Sequence, residues 1–215
     1  MVPILKALEP HILAGAQGEL PGLMRYLKDE GVVDAERLAV VDIGFGGTIQ
    51  GYLNKILAKQ VHGYYLMTET RADAVAEKYG VFLKGCFADK IAPSLDAPVM
   101  FRRSFIMEKL LSCNDPQIVY YDATSDESEL LKIYRDLAAD EIKPAELRDQ
   151  IHLGAIAYAQ DAARIREQAF PAFKPSVGMA NAIIESFLNN LCEEDVDFLS
   201  HIILDDFYCG RELVS

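Results

Sequence analysis

Val40-Val41-Asp42-Ile43-Gly44-Phe45-Gly46-Gly47-Thr48-Ile49-Gln50 is the stretch that decides the fold. The apolar, β-branched run from Leu38 to Asp42 reads as a buried strand. Glycines then punctuate a sharp turn. Thr48 to Lys59 continues as an amphipathic helix carrying Ile49, Tyr52, Leu53, Ile56 and Leu57. Val61 to Met67 reads as the next strand. Strand, helix and strand within about thirty residues make a βαβ unit, which demands parallel strands and a right-handed crossover.

Outward from this unit the pattern stays α/β, and then changes. Upstream, residues 3 to 29 read as two helical pieces with a break near Gly15-Ala16-Gln17-Gly18, and Gly31 ends the second. Downstream, Arg71 to Lys78 reads as a short helix and Gly80 to Phe87 as a strand. Ile91 to Pro98 is a loop, Val99 to Ser112 a helix and Gln117 to Tyr121 a strand. From Glu129 the pattern turns helical, with helices expected at 128–139, 144–168, 176–191 and 194–204. The expected fold is therefore a small, mostly parallel Rossmann-like sheet with flanking helices, followed by an all-helical carboxyl-terminal portion. The composition shift divides the chain into an α/β domain, 1–125, and a helical subdomain, 126–215, packed on it.

Charge narrows the partners. The chain has 215 residues and a net charge of −12. So acidic a surface repels a phosphate backbone, and Arg102-Arg103 with Lys109 is too small a cluster for a nucleic-acid footprint. An anion site must then be local, built from backbone N–H groups and one or two cations. The four cysteines, Cys86, Cys113, Cys192 and Cys209, form no C-x-x-C pair and have no histidine at ligand spacing, so no metal site is expected. No run approaches the ~20 apolar residues that span a bilayer, and the amino terminus lacks a secretory pattern. A cytoplasmic location is the expectation.

The turn is where chemistry concentrates. At the carboxyl end of a parallel strand, glycines allow positive φ and close approach of a ligand to the backbone. The N–H groups of Gly46, Gly47 and Thr48, with Gly44 shaping the turn, then face the ligand side of the sheet at a helix amino terminus. Asp42, at the strand end, is placed to hold a metal ion, a sugar hydroxyl or a catalytic proton, and Gln50, in the first turn of the helix, is a candidate ligand residue within reach of the same pocket. Glu108 is a second candidate catalytic carboxylate, and Arg102 a candidate phosphate clamp. The same pattern also suits a plain structural junction in which Asp42 binds loop amides. The turn is neither a Walker loop, lacking G-K-[ST], nor G-x-G-x-x-G.

Three stretches, Val41 to Gln50, Gly63-Tyr64-Tyr65-Leu66, and Glu108-Lys109-Leu110-Leu111-Ser112 running to Tyr120-Tyr121, carry a resemblance, with Gly154 to Tyr158 as a weaker fourth. Over about residues 36 to 160 the chain resembles the carboxyl-terminal region of haloacid-dehalogenase-like (HAD-type) predicted hydrolases of surface-polysaccharide biosynthesis. The phosphatases of that class need a nucleophilic Asp-x-Asp after a buried strand. Here Asp195-Val196-Asp197 follows no strand and reads as a solvated helix start. The resemblance implies a fragment, split partner or stand-alone relative of the downstream domain.

The expected function is binding of a phosphate-bearing small molecule or nucleotide sugar, beside a HAD-like or glycosyltransferase partner. The alternatives are a non-catalytic scaffold domain of a glycan-synthesis enzyme and a stand-alone hydrolase or transferase using Asp42. No cofactor is specified.

Overall fold

The computed structural model describes residues 2–113, 117–122, 131–134, 142–202, 204–206 and 210–212. In chain order the elements are α1 (Val2–Asp29), β1 (Leu38–Asp42), α2 (Thr48–Leu57), β2 (Val61–Glu69), α3 (Arg71–Tyr79), β3 (Leu83–Ile91), α4 (Val99–Arg102), α5 (Ser104–Leu111), β4 (Ile118–Asp122), β5 (Leu131–Tyr134), α6 (Ile142–Ala169), α7 (Val177–Asn189), α8 (Glu193–Ser200), β6 (Leu204–Asp206) and β7 (Gly210–Glu212). They form two units: Met1–Glu36 with Asp115–Leu137, and Arg37–Asn114 with Ala138–Ser215. This is not the split at residue 125. A change in composition records which kinds of element follow, whereas a unit is defined by which elements pack.

In the first unit, α1 runs unbroken for 28 residues, through Pro10 and Pro21 and without the break expected near Gly15–Gly18. Of the glycines there, Gly15 has open space around it and Gly18 lies beside the Tyr120 hydroxyl. Gly18 and Gly22 lie one turn apart against β4, and a Cβ on Gly22 would sit 2.5 Å from the Tyr121 carbonyl oxygen. Tyr26 stacks on Tyr121 with ring centroids 5.1 Å apart. Lys132 Nζ sits 4.4 Å from the Tyr26 ring centroid and 3.8 Å from Glu30 Oε1. α1 closes at Gly31, φ +74°, whose N–H donates to the Lys28 carbonyl. β4 and β5 pair antiparallel, so residues 131–134 are a strand where a helix was expected; 128–130 and 135–139 lie outside the described residues.

In the second unit, β1, β2 and β3 form a parallel sheet in the order β1-β2-β3. Each neighbouring pair is joined through one helix, α2 or α3. The chain is thus α/β: a three-stranded parallel sheet with flanking helices and a helical portion, α6–α8. Tyr65, Ala72, Val81 and Leu83 form the sheet–helix core, with Val40, Val75, Ala76 and Tyr79 packed on it. β1 is less enclosed than its apolar run suggests: Val40 faces the core but Val41 is 83% exposed. The strand alternates rather than burying both faces.

The helices have a core of their own in Val99, Ile106, Leu188, Leu199 and Ile202, which joins α4, α5, α7 and α8. Asn181 Nδ2 donates to the Phe87 carbonyl at 3.0 Å and ties α7 to β3. Ser176 caps α7 by accepting from the Met179 N–H, immediately after Pro175. The helix expected at 194–204 stops at Ser200, and residues 204–206 and 210–212 pair as antiparallel strands.

Candidate functional site

The glycine turn continues the ladder of β1 alongside β2. The Ile43 carbonyl accepts from Met67 N–H and the Phe45 carbonyl from Glu69 N–H, both at 3.1 Å. The Gly44–Phe45 peptide is cis. The carbonyls thus face β2. Among the described residues, no acceptor takes the N–H groups of Gly46, Gly47 or Thr48. These three amides open α2, where the helix dipole adds its positive end. Gly47 is the N-cap in the left-handed region, φ +74° and ψ 16°, and no side chain caps the helix. Only glycine fits there, because a Cβ would also strike the Leu83 methyl. Thr48 is exposed at the first helical position.

Gln50 does not face a ligand. It is fully buried, and Nε2 donates to the Val61 carbonyl at 2.6 Å and the Phe82 carbonyl at 2.7 Å. Its Oε1 accepts from the Tyr65 hydroxyl at 3.1 Å. Gln50 thereby fastens α2 to the start of β2 and the approach to β3. Gly63 leaves the room: a Cβ there would lie 2.7 Å from Gln50 Cδ. The helical position read from the sequence is right, but the side chain turns inward. Burial, and secondarily the nearby Asp42 carboxylate, push the Tyr65 phenol up to about 12. Tyr65 therefore remains a donor at neutral pH. Tyr64, next in the chain, is on the open face and 49% exposed.

Asp42 Oδ1 accepts from the Ile43 N–H at 2.7 Å, the arrangement of a structural junction. Its second oxygen has no hydrogen-bond partner among the described residues.

A carboxylate not singled out from the sequence joins the turn. Glu69, the last residue of β2, is only 6% exposed, and its Oε1 lies 3.6 Å from where a Gly46 Cβ would stand. Arg71 pairs with this carboxylate through both Nε and Nη2 and keeps most of its side chain in solvent. Beyond them, Thr68 Oγ1 donates to Asp89 Oδ1 at 2.6 Å, and the same oxygen accepts from the Gly85 N–H. Although burial opposes it, these hydrogen bonds and the lysines beside Asp89 hold its carboxyl below the usual range. The signal for Glu69 was its place, the end of the strand after the glycine turn.

The remaining candidates lie on α4 and α5. Arg102 is exposed, and its Nε donates to the Ala97 carbonyl at 2.9 Å, closing the loop before α4. Its neighbour Phe101 meets Phe45 edge to face at 5.4 Å. Glu108 is half-buried on α5, which packs on α4 and α6. A recess of about 630 Å³ along α8 is lined by Glu193, Glu194 and Asp197, among others, an acidic wall unsuited to an anion. Asp195 accepts from the Cys192 N–H and caps α8, so the Asp-x-Asp sequence is a helix start. Among the described residues, no group of three or more His, Cys, Asp or Glu is placed to hold a metal ion, and no helix is long and apolar enough to cross a membrane.

Fold and turn together define an α/β chain with a glycine-rich strand-to-helix junction, bare amides at its helix amino terminus, and a buried acid on the adjacent strand. No protein-family model, curated protein or solved structure matches it.

Proposed function

We propose that the carboxyl ends of β1 and β2 bind a nucleotide sugar or related sugar phosphate. In this reading the phosphate rests on the Gly46, Gly47 and Thr48 amides, and Glu69 accepts a ribose or sugar hydroxyl. The supporting observation is the juxtaposition of Glu69 with Gly46. In doubly wound nucleotide-binding folds, an acid about twenty residues past the glycine turn holds the ribose while the turn holds the phosphate. Glu69 stands at the corresponding end of β2. Arg71 offsets the charge of Glu69, which would otherwise repel a phosphate at the turn. Asp42, with one oxygen uncommitted, is the candidate for a second hydroxyl or for catalysis. A setting in surface-polysaccharide synthesis, beside a HAD-like or glycosyltransferase partner, rests on the sequence resemblance alone.

Thermal unfolding with a panel of nucleotide-diphosphate sugars, sugar phosphates and inorganic phosphate tests this. Ligand at a hundredfold its dissociation constant stabilises by about 2.7 kcal/mol. Glu69→Gln is expected to lose the preference for nucleotide sugars over sugar phosphates. A panel in which no compound raises the melting temperature overturns the proposal.

One observation favours a second reading, a docking module. α6 exposes Leu153 by 67%, Ile156 by 55% and Tyr158 by 76%, an unusual apolar load for a helix in solvent.

A further inference from the structure

The junction of α5 with α6 holds a cation that has no counter-ion among the described residues. Lys109 is 1% exposed, and among the described residues its Nζ has no hydrogen-bond partner. Its nearest compensation is the Phe105 ring, with a centroid 5.2 Å away. A ring face attracts an ammonium more weakly than the water it displaces. A second cation is near enough for its charge to act on Lys109. Arg148, from α6, reaches the end of α5 and donates through Nη1 to Ser112 Oγ at 2.8 Å and the Cys113 carbonyl at 3.1 Å. Ser112 Oγ in turn donates to the Lys109 carbonyl at 3.2 Å. One turn along α6, His152 Nε2 lies 2.8 Å from the Leu110 carbonyl, which fixes the ring against the same helix end. Burial, and after it the charge of Arg148, pull the Lys109 ammonium below its usual range. In a chain with twelve excess negative charges, two interacting cations, one of them bare and enclosed, need a reason.

We infer that Lys109 and Arg148 form a seat for a small oxyanion, a phosphate or carboxylate group, between α5 and α6. Such a group entering past the exposed Cys113 edge would supply the charge and the acceptors that Lys109 lacks. Arg148 would hold it by a charge-assisted bond. The residues are separate from those of the glycine turn, so the two proposals stand or fall independently.

Nuclear magnetic resonance of lysine Cε and Nζ in the labelled full-length protein tests the seat, with Lys109→Met assigning the signal. Inorganic phosphate and acetate are titrated separately, and the stronger of the two identifies the oxyanion class. The expected result is a saturable shift of the Lys109 signal, weakened at least ~10-fold in Arg148→Met and unchanged in Gly47→Ala. A Lys109 signal that neither anion moves overturns the inference. So does a shift that Arg148→Met leaves at full affinity. If Lys109→Met fails to fold, Lys109→Arg assigns the same signal by its disappearance.

Discussion

Tyr65 and Gln50 are joined by a 3.1 Å hydrogen bond from the phenol to Oε1, and Gly47 lies over both, its Cβ position 3.6 Å from each. The amino end of α2 therefore rests on a buried polar pair. The candidate phosphate turn is held from beneath by side chains that a ligand never touches.

The raised phenol of Tyr65 makes stability depend on pH in the alkaline range. Its ordinary value is 10.0 and its folded value about 12. Between these the unfolded chain loses the proton and the folded chain keeps it. The contribution is complete below pH 10 and declines as pH rises toward 12, by an amount on the order of 2 kcal/mol. Urea unfolding at pH 9, 10 and 11 checks this. Tyr65→Phe should show a flatter decline than the wild type, and parallel curves would refute it.

Gln50→Leu keeps the volume and removes the bonds. The Val61 and Phe82 carbonyls and the Tyr65 hydroxyl all lose a partner, so the expected loss is about 2–4 kcal/mol of unfolding free energy. Adding Tyr65→Phe should cost less than in the wild-type background, because the phenol no longer has an acceptor to lose. Simple additivity in the double-mutant cycle would show that the two side chains act separately.

Gly47→Ala combines a left-handed backbone with a clash against Leu83. The expected destabilisation is about 2–3 kcal/mol. Leu83→Ala removes a core side chain and costs stability by itself, but it also removes the clash, so the double variant should lose less than the sum of the two single variants. Chemical denaturation of the two single variants and the double variant separates the terms.

Gly22→Val tests the first unit. Its branched side chain meets the Tyr121 carbonyl and must push β4 away from α1, opening the Tyr26–Tyr121 stack. An expected cost of about 1–3 kcal/mol would appear as faster amide exchange at Tyr120 and Tyr121. Unchanged exchange there would mean that α1 does not support β4.

The βαβ core was legible because its signals are local. The run Leu38–Asp42, the glycines and the amphipathic helix from Thr48 all report on their own segments. The direction of Gln50 was not, because it depends on carbonyls at Val61 and Phe82, which only the folded sheet brings near. Glu69 was passed over for the same reason: its neighbour Gly46 lies 23 positions away in sequence. The short strands at 131–134, 204–206 and 210–212 escaped because segments of three or four residues carry too little periodicity to outweigh helical surroundings. Gly15 and Gly18 misled in the opposite sense, since a glycine does not by itself break a helix and the sequence marks a breaker and a helical glycine with the same letter.

The interleaved order of the two units bears on biosynthesis. α1 leaves the ribosome before β4 and β5, and the strands that cover Gly22 and Tyr26 follow only after Arg37–Asn114 has been translated. The parallel sheet, whose strands are neighbours in sequence, can close in the meantime. A nascent chain halted after Asn114 would present α1 with its tyrosine unstacked, and chaperone capture is expected at that stage of elongation.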